Sequence, residues 1–117
     1  FSRIYLLGRE LIEEDKKYWV GFNLVKGIGS RRMRLLLDGF GSAEHAWRAS
    51  RSELEFIGLP PKLVEAVEQT RSTDAINRIW DTILQKEIQV LTWEDPQYPR
   101  RLKEIEGSPP VIFSKAL

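Results

Sequence analysis

A chain of 117 residues, 42% of them hydrophobic and none of them cysteine, has room for one folded unit or for one unit and part of a second. It excludes a disulfide framework and a thiolate metal site, which suits a cytoplasmic protein. Eighteen basic residues face seventeen acidic ones for a formal net charge of +1, so overall charge identifies no polyanionic partner. No apolar run approaches the roughly 18 residues of a membrane span. The first apolar patch is broken by Arg9 and Glu10, which does not fit a signal peptide.

Ile4, Leu7, Leu11 and Ile12 stand at helical spacing interrupted by Gly8, predicting a short helix over residues 4–12. Glu13 to Lys17 is a solvated charged segment. A helix follows from about Asp15 to Val25, with Tyr18, Trp19, Phe22 and Val25 on one face. Trp19 at that spacing reads as core rather than as a platform for a base.

Leu24 to Leu37 is the stretch around which the chain is organised. Lys26, Gly27, Ile28, Gly29 and Ser30 lead into Arg31, Arg32, Met33 and Arg34. Gly27 and Gly29 are expected at positive φ in a tight hairpin. Ile28 is expected to plug the space between the flanking helices, and Ser30 to cap the second one. Free N–H groups around Ile28–Arg31 would then make a phosphate-sized positive cup, with Arg31, Arg32 and Arg34 beside it. The candidate phosphate contacts are therefore Lys26, Gly27, Ile28, Gly29, Ser30, Arg31, Arg32 and Arg34. Charge distribution agrees: in residues 18–50, Lys26, Arg31, Arg32, Arg34 and Arg48 oppose only Asp38 and Glu44, while the other segments are neutral or slightly acidic. The pattern is that of a helix-hairpin-helix, which holds nucleic acid by its backbone. The competing reading is an ordinary helix–helix turn whose arginines solvate a face.

Met33, Leu36 and Leu37 make the apolar face of the second helix, which Gly39 and Gly41 should end. Ser42 caps a helix from Ala43 to Ala49, with His45, the chain's one histidine, where a capping box would have Glu or Gln. A short helix begins after Ser50, and Ile57-Gly58-Leu59-Pro60-Pro61 precedes a helix from Lys62 to Thr70. This repeats the plan of the first hairpin about thirty residues later, as two halves around one core. Pro60 and Pro61 stand where the first copy has Gly29 and Ser30, and proline has no N–H to offer, so the second hairpin reads as structural. Ser72-Thr73-Asp74 opens the clearest helix, with Ile76, Ile79, Trp80, Ile83 and Leu84 in phase. Ile88 to Trp93 and Val111 to Phe113 read as strands, separated by prolines and a short helix from Arg100 to Ile105. Two such strands make a poor fold alone. They are expected to open an α/β domain, in a chain that is part of something longer.

Tyr18-Trp19, Leu24 to Gly29, and Phe40-Gly41-Ser42-Ala43 with Ala46-Trp47 together resemble the N-terminal domain of the DprA/Smf DNA-processing family. The tail of Val90-Leu91-Thr92, Asp95-Pro96, Tyr98-Pro99, Leu102, Ile105 and Pro109-Pro110-Val111 resembles the segment leading into that family's Rossmann-like domain. The resemblance covers about residues 18–115; Lys26 and Ser30 depart from it, standing where the family frequently has proline. It implies a mainly α fold: residues 1–17 as an N-terminal extension, 18–87 as a sterile-alpha-motif-like tandem helix-hairpin-helix domain, and 88–117 as linker and first strands of a truncated Rossmann-like domain. It further implies a cytoplasmic bacterial protein that binds single-stranded DNA and helps load the RecA recombinase in natural transformation. The principal single-strand site and self-association surface belong to the domain that would follow Leu117, which leaves this part accessory. The family implies no cofactor.

Two other classes compete. A self-sufficient tandem hairpin module gripping duplex or branched DNA would use both hairpins, and Pro60 and Pro61 count against it. A pure protein-interaction domain is compatible with the family reading. An enzyme is not expected: the acids are scattered, and no Ser-His-Asp set or phosphate loop stands out.

Overall fold

The computed structural model describes residues 15–115; the helix expected over residues 4–12 lies outside the described residues, as does most of the 1–17 extension. The fold is mainly helical with one two-stranded antiparallel sheet. Helical residues 15–24 form α1. Then follow α2 (Ser30–Phe40), α3 (Ala43–Trp47), α4 (Arg51–Phe56), α5 (Pro61–Ser72), α6 (Ala75–Gln85), β1 (Ile88–Thr92), α7 (Arg100–Glu104) and β2 (Val111–Lys115).

Tyr18, Trp19, Phe22 and Val25 are all buried, as their spacing predicts, and Val20 is buried with them. That extra residue makes α1 a central helix, covered on more than one side. Phe22 meets the Trp47 ring edge-on at 5.0 Å, which draws α3 onto it. Asp15 fastens the same pair: its carboxylate accepts from the Trp19 indole N–H at 3.2 Å and from the Glu44 backbone N–H in the first turn of α3 at 3.0 Å.

The two hairpins superpose in sequence at an offset of 31 residues. Gly27 has φ +100° and Gly58 φ +103°. Ile28 and Leu59 after them are both buried, as are Met33 and Val64, and Leu36 and Val67. The repeat is physical, because each copy turns on a glycine, sinks the next side chain and buries the same helical stripe. The copies also touch. A Cβ on Gly27 would lie 2.6 Å from Leu63 Cδ2, so the first turn is packed directly under α5.

Two cap expectations and the expected positive φ of Gly29 are corrected, while the Ser72-Thr73-Asp74 cap is supplied by its threonine. Ser30 is the first residue of α2; Gly29 is the N-cap, at φ −99° and with no side-chain cap hydrogen bond. Gly29 is therefore outside the positive-φ region, and only Gly27 bends the turn that way. Gly39 stays helical, and Gly41 ends α2 at φ +85°, its N–H bonded to the Leu37 carbonyl. Asp74 makes no cap bond to α6; instead Thr73 Oγ1 accepts from Ala75 N–H at 3.3 Å. Ser42 does cap α3: its Oγ accepts the His45 N–H at 3.2 Å and lies 2.8 Å from His45 Nδ1, a side-chain contact and not the reciprocal backbone bond of a capping box. Ser50 and Glu53 close a full capping box on α4, a Ser-x-x-Glu signal present in the sequence.

β1 and β2 pair with Ile88 opposite Lys115 and Thr92 opposite Val111. Val90, Leu91 and Val111 are buried and join the same hydrophobic core as the helices, Val90 and Leu91 from opposite faces of β1. The residues that carry the family resemblance in the tail are its fasteners. Buried Tyr98 donates its hydroxyl to the Pro109 carbonyl at 2.6 Å. Asp95 accepts the Thr92 N–H at 2.9 Å and pairs with Lys16 of α1 at 3.1 Å, both side chains largely buried. Trp93 meets Trp19 edge-on at 5.9 Å. Among the described residues no helix is long and apolar enough to cross a membrane.

Candidate nucleic-acid interface

A helix leaves its first backbone N–H groups without intrahelical acceptors, and the glycine N-cap of α2 supplies no side chain to satisfy them. The start of α2 therefore presents donors and the positive end of the helix dipole. The cup is narrower than the sequence suggests. Ile28 N–H is already bonded to the Val25 carbonyl at 3.2 Å, and its side chain is buried beside Trp19, Phe22, Met33, Pro110 and Val111. Ile28 thus holds the turn in place and offers nothing to a ligand.

The basic residues divide. Arg32 folds back on its own turn, donating from Nη1 to the Gly27 carbonyl at 3.1 Å. Lys26 is exposed on the turn. Ser30, Arg31 and Arg34 line a cleft of about 600 Å³ whose other wall is the end of α7 and the following turn, Lys103 to Ser108. The Arg34 guanidinium sits 4.7 Å from the Trp93 ring centroid, a cation–π contact that fixes its position. Trp93 also lines the cleft. It is buried, and its indole N–H has no hydrogen-bond acceptor among the described residues.

Of the eight residues singled out in the sequence, the structure brings Ser30, Arg31 and Arg34 to the cleft, with Gly29 beneath the α2 terminus. Gly27 and Ile28 shape the turn, Arg32 braces it, and Lys26 stands apart. Lys103 and Trp93 were missed. The Arg100-Arg101-Leu102-Lys103 run is the signal that pointed to Lys103; Trp93 gave none beyond its place in a strand.

The second hairpin offers a different start. Pro60 is the N-cap of α5 and Pro61 its first residue, so two donors available at α2 are chemically missing there. The carboxyl of Glu94, next to Trp93, is raised above the ordinary carboxylate range, first by burial and then by the Asp15 and Asp95 charges, with Lys103 pulling it back down. Lys103 thus already feels one acid, and Glu104 and Glu106 line the cleft beside it. The site is cationic with an acidic rim.

No family model matches the chain, and no solved structure matches it. A curated protein does: Protein Smf of Synechocystis sp. is 33% identical over 104 residues, covering 88% of this chain and 26% of that protein. The chain spans about a quarter of the length of this relative. With a relative at that identity matched over 88% of its residues, the chain belongs to the DprA/Smf family.

Proposed function

We propose that the chain is the accessory helical part of a DprA-like DNA-processing protein, one that binds single-stranded DNA and helps load the RecA recombinase during natural transformation. In this reading the helices form a sterile-alpha-motif-like pair of helix-hairpin-helix units over residues 18–87. Residues 88–117 lead into a Rossmann-like domain that carries the main DNA site and self-association. The protein is cytoplasmic, and no catalytic step is assigned to this part. The antiparallel strand pair is compatible with such a continuation, since mixed sheets commonly carry an antiparallel edge.

The observation that carries the phosphate contact is the asymmetry of the two hairpins. They share their turn glycine and buried stripe, yet one ends in a donor-bearing, arginine-flanked helix start and the other in two prolines. A module gripping duplex DNA with both hairpins is disfavoured by the same asymmetry. A protein-docking role has one observation behind it: a groove of about 410 Å³ between α6 and β1, partly apolar through Trp80, Ile83, Leu84 and Ile88.

The test is fluorescence anisotropy of labelled single-stranded and duplex DNA with this chain at low and moderate salt. Arg31→Glu is the variant of choice, because Arg32 also braces the turn and its reversal would confound folding with binding. We expect weak, salt-sensitive binding that Arg31→Glu abolishes. Equal binding by parent and variant would remove the hairpin from the DNA surface.

A further inference from the structure

The cleft has two walls, and only one of them belongs to the hairpin. Resting on the phosphate reading above, the geometry points to a two-walled phosphodiester site in which the first turn of α2, Arg31 and Arg34 face Lys103 of α7, so that the strand-bearing tail is part of the nucleic-acid surface.

Several independent features converge on this. Lys103 is far from Arg34 in sequence, yet both line the same cleft with Ser30 and Arg31. A volume of about 600 Å³ lies within the roughly 300–1,000 Å³ typical of ligand sites. It suits a short stretch of sugar-phosphate backbone. Arg34 is held over Trp93 at 4.7 Å, so its charge is placed before a ligand arrives. Trp93, also in the lining, is buried with an N–H donor that has no acceptor among the described residues, and buried donors ordinarily have one. One end of the cleft is narrow: Gly107, at φ +80°, comes close enough that an added Cβ would sit 3.9 Å from Ser30 Oγ.

The chemistry selects the ligand. Backbone N–H groups, two guanidiniums and one ammonium recognise an anion with several acceptor oxygens and read no base edge. Glu104 and Glu106 on the rim oppose that anion, so binding is weak, and steep in salt. A ligand that spans both walls would also secure the tail against α2.

The experiment titrates a fluorescein-labelled single-stranded oligonucleotide with the 117-residue chain at several salt concentrations, and adds inorganic phosphate as a competitor. Lys103→Gln is expected to weaken binding about three- to tenfold and to reduce the magnitude of the slope of log K against log salt by about 0.7, one contact's worth for a single strand. Glu104→Gln with Glu106→Gln is expected to tighten binding, a gain that misfolding cannot imitate. Lys62→Gln, on the corresponding turn of the second hairpin, should change neither affinity nor slope.

Parental affinity and slope in Lys103→Gln, alongside a weakened Arg31→Gln, would overturn the two-walled site and leave the hairpin contact standing. Parental behaviour in both variants, or no binding by the parent at low salt, would overturn both. Displacement of the oligonucleotide by millimolar phosphate would mark a site for free phosphate and overturn the strand assignment.

Discussion

The contact between the two hairpins can be measured through one glycine. Alanine at position 58 faces only backbone strain, because nothing lies within 4 Å of the added Cβ while φ is +103°. A left-handed conformation costs a residue with a Cβ roughly 1–2 kcal/mol, offset by about 0.4–1 kcal/mol from the lost freedom of the unfolded chain. Gly58→Ala should thus destabilise by about 1 kcal/mol net. Gly27→Ala carries the same strain at φ +100° and also places its Cβ 2.6 Å from Leu63 Cδ2. Overpacking of that kind adds about 1–3 kcal/mol, for a total of about 2–4 kcal/mol. Leu63→Ala removes the obstructing atoms, so Gly27→Ala in that background should fall back towards the cost of Gly58→Ala. The measurement is urea unfolding of the parent, the three single variants and the double mutant, followed by tryptophan fluorescence and far-UV circular dichroism. A coupling of about 1–2 kcal/mol between positions 27 and 63 is expected for residues in direct contact. Equal costs for the two glycine substitutions, with no coupling to Leu63, would refute the packing of the first turn under α5.

Other outcomes follow from the clamped tail and the hairpin. Tyr98→Phe removes the bond to the Pro109 carbonyl from a buried site and should cost about 1–2 kcal/mol, read as a lowered urea midpoint. Thr73→Ala removes the hydroxyl that accepts the Ala75 N–H and should cost about 1 kcal/mol by the same assay. Glu94→Gln should stabilise the chain at pH 7 by a few tenths of a kcal/mol, a small figure because the side chain is largely solvated. The sign follows from its raised carboxyl: the folded state holds the proton more tightly, so parental stability rises as pH falls through that pKa, and the advantage of the glutamine variant disappears in acid. Comparing midpoints at pH 7 and pH 4 checks this, and an advantage that persists in acid would assign the effect to something other than charge.

Helices were legible wherever a long apolar period ran unbroken, as in α6, and the strands where β-branched residues and tryptophan replaced that period. The cap of α2 was misread by one residue because Gly27-Ile28-Gly29-Ser30 allows two registers. Serine is a strong N-cap by propensity, but burial of Ile28 sets where the helix begins, and glycine at the N-cap costs little compared with serine. The breadth of α1 burial was not legible, since a helix covered on several sides depends on neighbours from distant parts of the chain. Lys103 and Trp93 escaped for the same reason: they come to α2, Trp93 beneath Arg34 and Lys103 across the cleft, only once distant parts of the chain have folded together.

The division of the arginines was not read from the sequence, which set all three beside the phosphate cup, although helical spacing accounts for it. Positions three apart on a helix share a side, and adjacent ones do not. Arg31 and Arg34 therefore point together into the cleft, while Arg32, one step round, reaches the Gly27 carbonyl. Of the three arginines, two thus line the cleft and one braces the turn. The second hairpin carries Lys62, Leu63 and Glu65 at the matching places. Leucine there packs on Gly27, and a carboxylate stands where Arg34 reaches Trp93. Leu63 of the second copy thus packs on the turn of the first, while only the first copy keeps the N–H groups and the paired arginines that the proposed anion contact requires.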